Sequence, residues 1–126
     1  MSRDKQRLVD YLSHIVEAIG RIDRYTADLN EIAFLQNEMV QDAVIRNFEI
    51  IGEASHNIET HYPEFATAHP ELPLAFAYQM RNAIAHGYFK VDLEIVWKTI
   101  HSDLPGLSRQ AKAAAEVLPS GSDDGP

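Results

Sequence analysis

The sequence predicts an all-α fold, an antiparallel bundle of four to five helices in a single domain. Three observations predict it. Apolar residues recur at steps of three and four along almost the whole chain, the period of a helix buried on one side. No stretch alternates apolar and polar residues as a half-buried strand would, and no repeat or heptad array appears. At 126 residues and 45% hydrophobic content the chain is long enough to bury one core without staples.

The first helix is expected to begin near Ser2 or Asp4, either of which can cap it, and to run for about five or six turns. Its stripe is Leu8, Leu12, Ile15, Ile19 and Ile22, widened by Tyr11, Val16 and Tyr25. Asp28 to Gln36 reads as a short connection with one or two helical turns. Asn37 is placed to cap a second long helix, with Glu38 and Asp42 near its positive end. Val40, Val44, Phe48, Ile51 and Ser55 to Ile58 mark its inner face, and Gly52 in its middle is costly unless another backbone packs close. Tyr62-Pro63 and His69-Pro70 break the chain around a loop or a short turn.

Pro73 suits the first turn of a third helix carrying Phe76, Met80 and Ile84 inward and stopping at Gly87. Asp92 then caps a fourth helix with the stripe Leu93, Val96, Trp97, Ile100, Leu104 and Leu107. Pro105 kinks that helix or restarts it as a fifth. The bundle is expected over residues 1–118. Residues 119–126, a run of Pro, Ser, Gly and Asp, are expected to form a disordered tail.

Composition narrows the function. There is no cysteine, so disulfides, thiolate metal sites and cysteine nucleophiles are excluded. The first residues carry no apolar signal segment, and no apolar run approaches the ~20 residues a membrane helix needs. A cytoplasmic protein without a membrane association is the expectation. The formal charge of −8 has the wrong sign for a protein that grips nucleic acid along a broad basic surface. Its distribution softens the objection. Leu72 to Val91 contains no Asp or Glu, whereas Arg81, His86 and Lys90 all lie inside it.

That segment holds the chemistry. Met80-Arg81-Asn82-Ala83-Ile84-Ala85-His86-Gly87-Tyr88 brings four reactive side chains close together. Asn82 and His86, four apart, share a helix face. Arg81 and His86, five apart, are roughly 140° around an ideal helix and converge only where the helix ends. There the negative end of the helix dipole favours an imidazolium and raises its pKa toward the range useful at neutral pH. Cleavage of RNA by its own 2′-hydroxyl needs a base, an acid and a cation that holds the phosphorane. Histidine serves either proton transfer, arginine holds phosphate oxygens, and Asn82 can orient His86 or the phosphate. No metal or cofactor is required. One histidine does not obviously serve as both acid and base, and a symmetric dimer would supply two. On the residues alone, an Arg and a His on one helix are more often a salt-bridged surface pair or a helix C-cap. Arg46-Asn47 repeats the opening pair with Ile51 where the histidine would stand.

Arg-Asn-x-x-x-His at a helix end in an all-helical chain resembles the R-x4-6-H signature of HEPN ribonucleases. Its extension to Tyr88 resembles the HepT toxins of HepT–MntA systems. Ile45-Arg46-Asn47-Phe48-Glu49-Ile50-Ile51-Gly52-Glu53-Ala54 is similar to that family's second-helix block. Val91-Asp92-Leu93-Glu94-Ile95-Val96-Trp97 with Asp103-Leu104-Pro105 is similar to the block after the motif. The likeness runs from about Leu8 to Leu118. It implies a HEPN-like bundle and a metal-independent endoribonuclease toxin whose active site forms across a homodimer. Arg81 and His86 would be the catalytic pair and Asn82 their polar helper. Tyr88 would be the residue to which a minimal nucleotidyltransferase (MNT-type) antitoxin attaches AMP.

Other readings stand beside this one. Glu49, Glu53 and the Glu53-x-x-His56 spacing resemble half of a di-iron site, but no second Glu-x-x-His exists. Pairing with arginines, or a place along the active cleft with Arg46 and Lys90, suits the two glutamates better. His14, His56, His61, His69 and His101 show no metal spacing. Tyr88 can simply pack back on the helix end, and Trp97 fits the core or an interface. A non-catalytic module that docks to a nucleotidyltransferase, or presents substrate to it, is the functional alternative.

Overall fold

Burial of one apolar face per helix arranges the chain. In the computed structural model, residues 2–85 and 93–118 are described, with side chains for 5–83 and 93–118. Among them every regular element is helical. α1 spans Ser2–Thr26, and its 25 residues make about seven turns, more than the apolar stripe alone marked out. Leu8, Leu12, Ile15, Ile19 and Ile22 are all buried. Each contributes roughly 1.5–3 kcal/mol by leaving water, which outweighs any propensity term in setting the helix's rotation. Thr26 closes the last turn by donating from Oγ1 to the Ile22 carbonyl at 2.8 Å.

α2 (Glu31–Leu35) is one short helix inside the expected connection. Asn30 caps it, accepting from the Ala33 amide at 2.8 Å, and Phe34 is buried beneath it. α3 (Glu38–His61) begins at Asn37, whose Oδ1 accepts from the Val40 amide at 3.0 Å, as the sequence predicts. α4 (Pro63–Ala68) is a short helix with proline in its first turn.

α5 covers Leu74–Ala85. Leu74 and Ala77 are buried, but Phe76 is 45% exposed, a correction to the inward position expected of it. The reason lies in α3. A Cβ on Gly52 would collide with Arg81 Cβ and sit 2.9 Å from its Cγ, closer than real Cβ atoms approach, and would lie a tight 3.0 Å from the Ala77 carbonyl oxygen. The missing side chain therefore lets α5 press Ala77 and Arg81 against α3. Phe76, about 100° from Ala77 around the helix, is turned to the rim. Ile84's side chain, Gly87 and Asp92 lie outside the described residues.

α6 (Leu93–Ser102) buries Val96, Thr99 and Ile100. Pro105 restarts the chain as α7 (Leu104–Val117), where Leu104, Leu107, Ala111 and Ala114 are buried. α3 is the hub, packing on both α1 and α5, while α7 packs on α1 and α6. Residue pairings fix the directions. Arg21 late in α1 meets Asn47 early in α3, and Tyr11 early in α1 meets Tyr62 after α3. Glu53 and His56 on α3 meet Arg81 and Tyr78 on α5 in reverse order. Both pairs are antiparallel. No described helix is long and apolar enough to cross a membrane.

Candidate active site

The groove where α1, α3 and α5 meet opens into a cleft of about 400 Å³. That lies within the ~300–1,000 Å³ typical of small-ligand sites. Tyr11 and His14 reach it from α1, Arg46, Glu49, Glu53 and Asn57 from α3, and Arg81 from α5.

Arg81 is built into this wall. Its stem rests on Gly52 and its side chain keeps 31% of its surface exposed. Nη1 donates to Asn82 Oδ1 at 3.1 Å, and Nη2 lies 3.5 Å from Glu53 Oε1. The second distance exceeds the usual range of a charge-assisted hydrogen bond. Glu53 is half exposed, so the pair is worth only about 0–1 kcal/mol and is easily exchanged for another anion. Asn82 thus points its oxygen at Arg81, a partner the sequence reading had not assigned to it.

Arg46 and Glu49 form a second pair at 3.5 Å along one face of α3, with Arg46 70% exposed. Both glutamates therefore sit beside arginines. His56 stacks on Tyr78, with ring centres 4.0 Å apart and planes 13° from parallel, which clamps α3 to α5 one turn from the Arg81–Glu53 pair. Among the described residues no group of three His, Asp or Glu lies close enough to hold a metal ion. Two arginines balance two glutamates along the cleft, so this surface is locally neutral in a chain of formal charge −8. An anion meets less repulsion here than the whole-chain charge implies.

The geometry brings Arg81, Asn82, Arg46, Glu49 and Glu53 together. His86, Tyr88 and Lys90 lie outside the described residues. Tyr11, His14 and Asn57 are the cleft residues that sequence reasoning missed. Tyr11 stood on the widened stripe of α1 and His14 beside Ile15, but only the pairing of α1 with α3 places them opposite Ala54 and Asn57. Away from the cleft, the Glu71 carboxyl is held below its ordinary pKa, chiefly by its 2.8 Å hydrogen bond to His69.

Residues 15–114 match a family model described as "Ribonuclease HepT-like", a span that includes α3 and α5 whole and the second half of α1. Over 98 residues the chain is 44% identical to a Thermococcus cleftensis protein named "Probable ribonuclease HepT", covering 78% of this chain and 86% of that protein. It is 32% identical over 108 residues to a "Putative RNase" of Methanocaldococcus jannaschii, covering 86% and 96%. A second protein of that organism, named "Gamma-glutamylcyclotransferase and putative RNase", is 38% identical over 108 residues, which span 47% of its length. No solved structure matches the chain with significance.

Proposed function

The chain belongs to the HepT-like ribonuclease family, and on that premise we propose that it is a metal-independent endoribonuclease acting as the toxin of a toxin–antitoxin pair. The observation that carries the reading is the seating of Arg81. A guanidinium whose stem rests on Gly52, steadied by Asn82 and only loosely tethered to Glu53, faces an open and locally neutral cleft. A phosphodiester offers it a bidentate, charge-assisted partner in place of the exposed carboxylate.

The reaction follows from that placement. The 2′-hydroxyl loses its proton to a base, the 2′ oxygen bonds to phosphorus, and the bond to the 5′ oxygen breaks. The 5′ oxygen takes a proton from an acid, leaving a 2′,3′-cyclic phosphate and a 5′-hydroxyl. Arg81 stabilises the charge that builds on the non-bridging oxygens, and His86, just beyond α5, is the acid. Asn82 holds Arg81 in register. A homodimer brings a second copy of His86 to the assembly. Attachment of AMP to Tyr88 by a cognate MNT-type nucleotidyltransferase antitoxin adds bulk and a phosphate near the site, blocking the substrate phosphate sterically and by charge. The substrate is cytoplasmic RNA, transfer or messenger, and the bundle of residues 1–118 is the working unit.

The test is incubation of purified protein, shown by mass to carry no AMP, with total RNA in EDTA. Cleavage that survives EDTA and disappears in both Arg81→Ala and His86→Ala is the expected result. Intact RNA, or cleavage indifferent to both substitutions, would refute the assignment and favour a non-catalytic module that docks to the nucleotidyltransferase.

A further inference from the structure

Cleavage by 2′-hydroxyl attack requires two proton transfers, and one described histidine, His14, lines the cleft. We propose that His14 is the base of the reaction, taking the 2′-hydroxyl proton. The proposal rests on the ribonuclease reading above.

Of the six histidines, five are among the described residues, and four of these are placed elsewhere. His56 is stacked on Tyr78, His69 is bonded to Glu71, His101 is bonded to the Trp97 carbonyl, and His61 ends α3. His14 alone of the five lines the cleft that Arg81 faces. It is exposed, makes no hydrogen bond or ion pair with another described residue, and has one ring contact, edge-on with Tyr11 at 6.4 Å. Tyr11 is itself wedged edge-on against Tyr62 at 6.4 Å, so the turn of α1 that presents His14 is fixed at its base.

The ionisable groups that line the cleft with His14 are Tyr11 on its own helix, Arg46, Glu49 and Glu53 on α3, and Arg81 on α5, while Asp10 and Glu17 stand one turn away along α1. The two glutamates are the rival bases, but each is paired with an arginine. An imidazole is the side chain suited to accept a proton near neutral pH. α1 and α5 both pack on α3, and His14 from α1 and Arg81 from α5 line the same cleft, so a phosphodiester held by Arg81 shares that cleft with the imidazole. The net result of the cycle is one proton moved from the 2′ oxygen to the 5′ oxygen. Before the next turnover the His14 imidazolium returns its proton to water, and the acid that protonated the 5′ oxygen takes one up.

The experiment compares wild type, His14→Gln and His14→Ala on a short RNA across a range of pH, with secondary structure and oligomeric state checked for each. Because His14 is exposed, neither substitution should unfold the bundle. The expected loss is about 10²–10⁴-fold in kcat with little change in KM, the range for removal of a general base. The acidic limb of the pH profile should vanish with it, and added imidazole should restore part of the rate to His14→Ala. A merely structural role would move neither of those readouts. Wild-type kcat and an intact acidic limb in His14→Gln would overturn the proposal and leave both transfers to the two copies of His86. A wild-type protein that cleaves no RNA would overturn the ribonuclease reading and this inference with it.

Discussion

Arg46-Asn47 on α3 and Arg81-Asn82 on α5 are the same dipeptide in neighbouring helices, and the bundle turns them in opposite senses. In the first, the asparagine faces inward. Asn47 is 4% exposed, donates to the Ala43 carbonyl at 2.8 Å and accepts from Arg21 Nε at 2.7 Å, while Arg46 extends into solvent. In the second, the arginine is drawn in. Arg81 lies over Gly52, and Asn82 spends its oxygen on that arginine. One helical step of about 100° separates the two arrangements. What selects between them is the neighbour: α1 offers Arg21 to the one, and α3 offers a glycine to the other. A pair of residue types becomes a candidate site only where the opposite helix leaves it room.

The sharpest break in that comparison is functional. Arg81→Ala should lower kcat/KM for RNA by about 10²–10³-fold, the cost of removing one preorganised donor to a developing oxyanion. Arg81→Lys should recover only part of the loss, because a point charge does not reproduce the planar fork. Arg46→Ala removes the same side chain from the same cleft but from its solvated rim. Its effect should be confined to a modest rise in KM that fades with added salt. Steady-state kinetics at two salt concentrations separates these cases. Equal losses in kcat from the two arginines would mean that the Gly52 seat confers no distinction.

Gly52 itself is the next lever. Gly52→Ala gains about 1 kcal/mol of helix propensity but forces a methyl against Arg81 and the Ala77 carbonyl. Overpacking of this kind costs about 1–3 kcal/mol, so net destabilisation is expected in denaturant unfolding. Catalysis should fall further than stability, since a displacement of about 1 Å at a positioned group costs up to about 10²-fold. Gly20→Ala is the control. There the new Cβ meets only Arg24 Nη1 at 3.7 Å, so the propensity gain should appear as added stability. If both substitutions stabilise, α5 does not depend on Gly52 for its approach.

These positions also show where sequence reading works and where it stops. The apolar stripe of α1, the Asn37 cap and the Pro105 restart are decided within one or two turns of chain, and each is where the sequence placed it. Phe76 is not, because the inner face of α5 is set by a gap on α3 about two dozen residues earlier. The unease about Gly52 was legible, but its answer, an arginine stem and a carbonyl oxygen, was not. Arg46, Glu49 and Glu53 follow one face of α3 and were legible as cleft residues. His14 and Tyr11 join them only through the register of α1 on α3, which no local pattern encodes.

The last contrast is between the two asparagines, and it should appear in stability. Asn47→Ala removes the acceptor of a half-buried guanidinium and leaves the Arg21 Nε–H without its protein partner. An expected loss of about 1–3 kcal/mol follows from stranding a donor in a partly buried place. The Ala43 carbonyl suffers less, because the α3 backbone ladder already supplies it with a bond. Asn82→Ala strands nothing: Arg81 keeps Glu53 and solvent, so unfolding should shift by no more than about 0.5 kcal/mol while cleavage falls. A double-mutant cycle of Arg21→Ala with Asn47→Ala isolates the buried bond from the packing lost with each side chain. Strong coupling there, beside weak coupling between Arg81 and Asn82 in unfolding, would assign one Arg–Asn contact to holding α1 on α3 and the other to aiming a cation into the cleft. Equal coupling would make both contacts structural and remove Asn82 from the site.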